Sequence, residues 1–139
     1  MVLALIGCEN KITGIGLTRE GINYYLGTDR VAYFLGETVE VTLVVTNNTE
    51  RPITFYFPNQ QQFGIQITHQ GRRIYNFPVF FQPSWSEFTL EKGESRTFKH
   101  TWHQGDKDGK RVSPGIYEIS AFLLICRLPK PKTTILIHH

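Results

Sequence analysis

The segment 100–111, HTWHQGDKDGKR, contains the closest grouping of side chains in this sequence that could bind a metal ion. Asp106 and Asp108 are followed by Gly109, as at the start of a calcium-binding loop. The further oxygen ligands and the final glutamate of such a loop do not follow at the required positions. Aspartate and glycine also suit a hairpin turn, so we predict a turn and keep a calcium site as the alternative.

Two histidines of the same segment, His100 and His103, flank Trp102 on a predicted strand. Residues three apart on a strand point to opposite faces of the sheet, so these two rings form a poor pair of metal ligands. We expect one histidine to be half-buried and the other exposed. We expect Trp102 to have a structural role.

The two cysteines, Cys8 and Cys126, are too few for a disulfide framework and lack the spacing of a zinc site. A single bridge between them stays open. Cys126 precedes Arg127, which could make its thiol reactive, but a buried structural thiol is the preferred interpretation. The sequence has no G-x-S-x-G, no H-E-x-x-H and no phosphate-binding loop, so we predict neither an enzyme nor a cofactor.

The first residues, MVLALIGC, resemble a bacterial lipobox, in which a small residue precedes the cysteine that receives the lipid. We interpret residues 1–10 as the remnant of a lipoprotein signal, with Cys8 as the attachment site and the cell envelope as the location. The alternative is a first strand of a cytoplasmic protein, because no lysine or arginine precedes Cys8. Other apolar runs fall far short of the ~18 residues of a membrane span, so any membrane contact would be through the anchor.

The rest of the chain, 11–139, has the length and composition of a single folded domain. Hydrophobic residues make up 40% and charged residues 19%, which argues against disorder. The 15 basic side chains exceed the 12 acidic ones only slightly and are dispersed along the chain, so we do not predict a nucleic-acid partner.

Apolar residues alternate with polar ones along most of the chain, and no stretch has helical periodicity. The clearest case is TVEVTLVVTN at 38–47, where Val39, Val41, Leu43 and Val45 share one face. About eight short strands separated by turn residues are predicted in this way. We expect an all-β fold, an immunoglobulin-like antiparallel β-sandwich with Greek-key connections, and keep a closed five-stranded barrel as the alternative.

One segment interrupts the predicted strands with a long loop, and another marks the start of a strand. Residues 77–88, FPVFFQPSWSEF, carry two prolines and five aromatics, so we predict a long crossover loop there. Pro114-Gly115-Ile116-Tyr117 resembles the tyrosine corner of Greek-key sandwiches, with a structural role for Gly115 and for Tyr117, whose hydroxyl would bond to upstream backbone.

Several motifs, in this order, agree with one protein family. They are Leu35-Gly36-Glu37, TNNT at 46–49, ITFYFPNQQQFGIQI at 53–67, LEKGESRTFKHTW at 90–102 and DKDGKRVSPGIYEISAFLL at 106–124. Together they resemble the intracellular proteinase inhibitor BsuPI family, over about residues 33–124. The resemblance implies an immunoglobulin-like sandwich that inhibits a protease. This chain departs from the family pattern at 58–64 and at 77–88.

If the chain inhibits a protease, its loops must obstruct the active-site cleft, since no chemistry for covalent inhibition is evident. We expect a monomer with a protein partner that it binds through two loops. The candidate contact residues are Asn59, Gln60, Gln61, Gln62, Phe80, Phe81, Pro83 and Trp85. The competing hypothesis is a non-inhibitory interaction module of a cell-envelope lipoprotein.

Overall fold

The structure is a computed structural model, and it describes residues 3–4, 17–125 and 128–139. These ranges contain twelve β-strands, and none of their residues forms a helix long and apolar enough to cross a membrane. In chain order the strands are β1 (Leu3–Ala4), β2 (Leu17–Arg19), β3 (Ile22–Thr28), β4 (Ala32–Phe34), β5 (Val39–Asn47), β6 (Ile53–Phe57), β7 (Phe63–His69), β8 (Arg72–Phe77), β9 (Ser86–Leu90), β10 (Ser95–Trp102), β11 (Gly115–Leu123) and β12 (Lys132–His138).

The strands form two main sheets and a smaller third one. The four-stranded sheet has the order β10-β5-β3-β2, the five-stranded sheet has the order β4-β12-β11-β7-β8, and the small sheet is β1-β6-β9. The chain passes from β5 to β7 in the other sheet, returns to β10 beside β5, and crosses again to β11 beside β7. The predicted all-β sandwich with Greek-key connections is confirmed. Two pairings, β1 with β6 and β4 with β12, are parallel rather than antiparallel.

The core lies between the two main sheets and follows the predicted alternation. Every second residue of β5 is buried, and Val39, Val41, Leu43 and Val45 are inaccessible to solvent. The inward side chains of β11, such as Ile119, come from the facing sheet. Burying one such side chain stabilises the fold by roughly 1.5–3 kcal/mol, so the alternating faces hold the two sheets together.

The strand count and one loop boundary differ from the sequence prediction. Twelve strands are present in the described residues rather than about eight, because strands such as β2 and β4 are too short to show alternation. The crossover predicted over 77–88 is shorter: β8 continues to Phe77 and β9 begins at Ser86. Phe88 belongs to β9, where it pairs with Phe55 of β6. The two rings stack with centroids 4.9 Å apart.

The entrance to β11 has the geometry of a tyrosine corner. The hydroxyl of Tyr117 donates to the carbonyl of Ser113 at 2.6 Å, and the phenol ring is buried. Gly115 has a φ of 151°, and a Cβ there would lie 2.8 Å from the His69 ring, so the close approach requires glycine. Trp102 packs against Tyr117 with ring centroids 5.9 Å apart, which joins β10 to β11.

Asn47, the last residue of β5, is the most highly bonded buried polar side chain in the described part of the fold. Its Nδ2 donates to the carbonyls of Arg51 and Leu90 at 2.8 and 2.9 Å. Its Oδ1 accepts from the backbone N–H and from the hydroxyl of Thr49 at 2.8 and 2.6 Å. The amide is inaccessible to solvent and its donors and acceptor are all satisfied, so it ties the start of β6 and the end of β9 to β5.

Replacing Asn47 by alanine should lower the free energy of unfolding by about 3 kcal/mol, because buried backbone groups lose their partners. Urea titration followed by tryptophan fluorescence measures the change. Asn48→Ala is the matched control, since Asn48 is the exposed neighbour, and it should change stability by less than about 0.5 kcal/mol. Equal effects of the two substitutions would show that Asn47 does not have this role.

Removing the Tyr117 hydroxyl in Tyr117→Phe should destabilise the protein by about 1–2 kcal/mol, because the Ser113 carbonyl loses its partner. Tyr56→Phe is the control, since Tyr56 lies on an exposed strand face and should be nearly neutral. Thermal melts of both variants beside the wild type measure the difference. A wild-type melting curve for Tyr117→Phe contradicts the proposed contribution.

Candidate functional site

The two loops predicted to contact a partner lie side by side at one end of the sandwich. Residues 58–62 connect β6 to β7, and residues 78–85 connect β8 to β9. Strands β6 and β9 are paired, with Phe57 opposite Ser86, so the loops leave the sheet next to each other. We call residues 58–62 the turn and residues 78–85 the crossover.

Glutamine side chains of the turn bind the backbone of the crossover. Gln60 Nε2 donates to the carbonyls of Ser84 and Trp85 at 2.9 and 3.0 Å. Gln61 Oε1 accepts from the backbone N–H of Gln82 at 2.7 Å, and the Gln60 N–H donates to the Gln82 carbonyl at 3.1 Å. These glutamines therefore fix the shape of the crossover. Whether they also touch a partner stays a prediction.

A second set of contacts ties the base of the turn to β9 and β11. Gln62 Nε2 donates to Ser86 Oγ at 3.1 Å, and Ser86 Oγ donates to the Asn59 carbonyl at 2.6 Å. The Leu124 N–H donates to the Gln62 carbonyl at 2.9 Å. The Asn59 side-chain oxygen is buried and has no hydrogen-bond partner among the described residues. The turn is thus held at both ends by bonds to neighbouring elements.

The apolar side chains of the crossover point into solvent. Phe80 is 81% exposed and Trp85 is 76% exposed. Val79 is even more exposed, Phe81 is half-exposed and Pro83 is exposed. Large apolar groups held in water at one end of a domain are typical of a protein-binding surface. We call Val79, Phe80, Phe81 and Trp85 the aromatic ridge.

The two loops that form the ridge contain no carboxylate, lysine or arginine. None occurs in residues 52–71, which include the turn, or in residues 74–86, which include the crossover. The amides of the turn are largely used within the loop pair. A contact made through these two loops alone would depend on shape and apolar burial more than on charge pairing.

The crossover begins at a packed aromatic group. The Phe77 ring stacks on His100 with centroids 4.1 Å apart, and His100 Nε2 lies 2.8 Å from the Tyr75 hydroxyl. Burial, and to a smaller extent the nearby His103, lowers the pKa of His100, so the ring stays neutral at neutral pH. His100 is half-buried and His103 exposed, as predicted, although β10 ends before His103. The packed rings anchor the residue from which the crossover leaves β8.

The Asp106 segment forms the predicted turn. Asp106 Oδ1 accepts from the backbone N–H groups of Asp108 and Lys110 at 2.8 and 2.9 Å, and Gly105 bridges to Arg111. The described residues contain no group of three or more side chains arranged to hold a metal ion. The carboxylate of Asp106 is used to close the hairpin.

Two predicted residues lie outside the part of the chain that the structure describes, and three residues that hold the turn and crossover together were not predicted. Cys8 and Cys126, with their possible bridge, lie outside the described residues. Gln82, Ser84 and Ser86 were missed as parts of the loop pair, because their partners are more than twenty residues away in the sequence. No local pattern in the sequence reports such a contact.

Two solved structures show the same fold at low sequence identity. A β-glucosidase, EmGH1, from Erythrobacter marinus has 19% identity and a TM-score of 0.53, covering 84% of this chain and 15% of its own. The alkylpurine DNA glycosylase AlkC from Pseudomonas fluorescens, bound to DNA containing an abasic site analog, has 15% identity and a TM-score of 0.55. That match covers 85% of this chain and 30% of AlkC. This chain therefore corresponds to a small part of each enzyme, and the likeness concerns the fold alone.

No curated protein matches the chain. A family model described as BsuPI, intracellular proteinase inhibitor, matches residues 26–127, which include strands of both main sheets, the turn and the crossover but not β2 or β12. This match confirms the resemblance found in the strand and turn motifs. The match spans well over half of the sequence, and the chain belongs to the intracellular proteinase inhibitor (BsuPI) family.

Proposed function

We propose that this protein inhibits a protease by inserting the aromatic ridge into the active-site cleft. The family supports proteinase inhibition in general, and a protease as the partner. The observation that carries the mechanism is an exposed, uncharged aromatic ridge fixed to a rigid sandwich by glutamine side chains. Inhibition is then physical obstruction, with no covalent step.

The turn and the crossover suit this role because they would lose little conformational entropy on binding. Gln60 and Gln61 fix the crossover from one side, and Phe77 anchors its start against His100. A loop already held in its bound shape loses less conformational entropy on association. Preorganised loops also resist the extended conformation that a protease needs for cleavage, so the crossover is expected to stay intact.

The energy of such a contact would be concentrated in a few side chains. Stable complexes of this kind bury roughly 1,600 Å² in total, and large aromatic anchors contribute most of the affinity. Phe80 and Trp85 are the most exposed aromatics of the ridge. They are therefore the anchors that would enter the cleft of the protease.

Phe80→Ala and Trp85→Ala should each weaken inhibition by roughly 30-fold, about 2 kcal/mol of binding free energy, because each removes an apolar anchor. Neither should lower the melting temperature, since both rings are in solvent. The measurement is a stoichiometric titration of the serine and cysteine proteases that the wild type inhibits.

The control is Val31→Ala, another exposed apolar residue, which lies in the loop before β4 and away from the ridge. It should leave inhibition unchanged. Full inhibition by both ridge variants would remove the ridge from the mechanism. A wild type that inhibits no protease in the panel would contradict the proposed function itself.

A second candidate is a docking module of a lipid-anchored envelope protein, and the Leu5-Ile6-Gly7-Cys8 sequence favours it. We expect Cys8 of the protein extracted from native membranes to carry a diacylglycerol, seen by mass spectrometry of the N-terminal peptide. Protein found free in the cytosol with an unmodified Cys8 would contradict the anchor. The same ridge would serve either candidate, since it is a protein-binding surface in both.

A further inference from the structure

The outermost strand of the five-stranded sheet next to the crossover, β8, has a partly uncovered edge. Among the described strands β8 pairs only with β7, so every second backbone N–H and C=O along it points away from the sheet. The hairpin that contains Asp106 uses one of these groups, since the Lys107 N–H donates to the Ile74 carbonyl at 2.8 Å. No described strand covers the edge from Tyr75 to Phe77.

A groove of about 390 Å³ begins at this edge, reaches across the sheet to Phe122 and Leu124 at the end of β11, and continues into the crossover. One wall is apolar and is formed by Phe77, Pro78, Val79 and Phe81. The amides of Gln66 and Asn76, which face each other across β7 and β8, also line the groove. An apolar wall beside amide groups and a strand edge suits an extended polypeptide better than a compact ligand.

Two cations stand at the hairpin end of the same groove. Arg73 and Lys107 line it, are exposed, and have no ion-pair partner among the residues that the structure describes. The only carboxylate in the lining, that of Asp106, already accepts two backbone N–H groups through Oδ1. The groove therefore has an apolar end toward the ridge and a positive end toward the hairpin.

We propose that the groove binds an extended segment of the inhibited protease as an added strand on β8. The segment places an apolar side chain against Val79 and Phe81 and an acidic side chain near Arg73 and Lys107. This inference rests on the proposed function, and it adds a contact at the rim of the active-site cleft, beside the anchors Phe80 and Trp85. The charge of the groove selects among proteases whose clefts accept the ridge, because the ridge itself is uncharged.

The first test reverses both groove charges in Arg73→Glu/Lys107→Glu. Affinity for the inhibited protease should fall about tenfold, and the loss of affinity with rising ionic strength should become smaller or reverse, because two attractive pairs become repulsive and salt screens both kinds. The matched control, Arg51→Glu/Lys99→Glu, makes the same change of net charge at two exposed cations that do not line the groove. It should keep wild-type affinity and wild-type salt dependence.

The second test is amide hydrogen exchange of the full chain with and without the bound protease. The backbone amides between Tyr75 and Phe77 that point away from β7 should become protected, and those of β4, at the opposite edge of the same sheet, should not. Inhibition that persists with unchanged affinity in the groove variant, or with no protection of β8, would overturn the added strand and leave the ridge intact. A wild type that inhibits no protease would overturn both proposals together.

Discussion

The side-chain amide of Asn47 is the contact on which the geometry of the binding end depends. It bonds to Arg51 just before β6 and to Leu90 at the end of β9, all from the last residue of β5. Strands β6 and β9 are antiparallel partners, and their far ends carry the turn and the crossover. A buried amide with every group satisfied holds one end of this strand pair, and so sets the position of the loops at the other.

Contacts elsewhere in the structure hold the turn and the crossover in place. The stacked rings of Phe55 and Phe88 keep β6 and β9 packed, while Phe77 and His100 anchor the crossover at β8. Gln60 then fixes the loop between these anchors. The backbone groups of the loops bond to one another. The aromatic side chains of the ridge do not pack against the core and stay in solvent. The fold thus presents apolar surface at one rim without destabilising its own core.

The fold could be predicted well from the sequence, but the arrangement of the turn and the crossover could be predicted only in part. Alternation in β5 and the Pro114-Gly115-Ile116-Tyr117 motif are local signals, and they predicted the sandwich and the entrance to β11. Proline and aromatic runs predicted a crossover over 77–88, and the structure shortens it to 78–85 because Phe77 and Ser86–Phe88 belong to strands. The use of Gln60 to hold the crossover was not foreseen, since hydrogen bonds between loops more than twenty residues apart leave no periodic pattern. The short parallel strand β4 was missed because its three residues are too few to show alternation.

The crystal structure of this chain bound to a protease that it inhibits would test the central claim most directly. The account predicts that Phe80 and Trp85 occupy the active-site cleft, with the turn and crossover in the arrangement described above. A complex in which the cleft is blocked by the opposite end of the sandwich, near Ser113 and His69, would contradict it. A crossover that unfolds to enter the cleft would contradict the claim that the loop pair is preorganised.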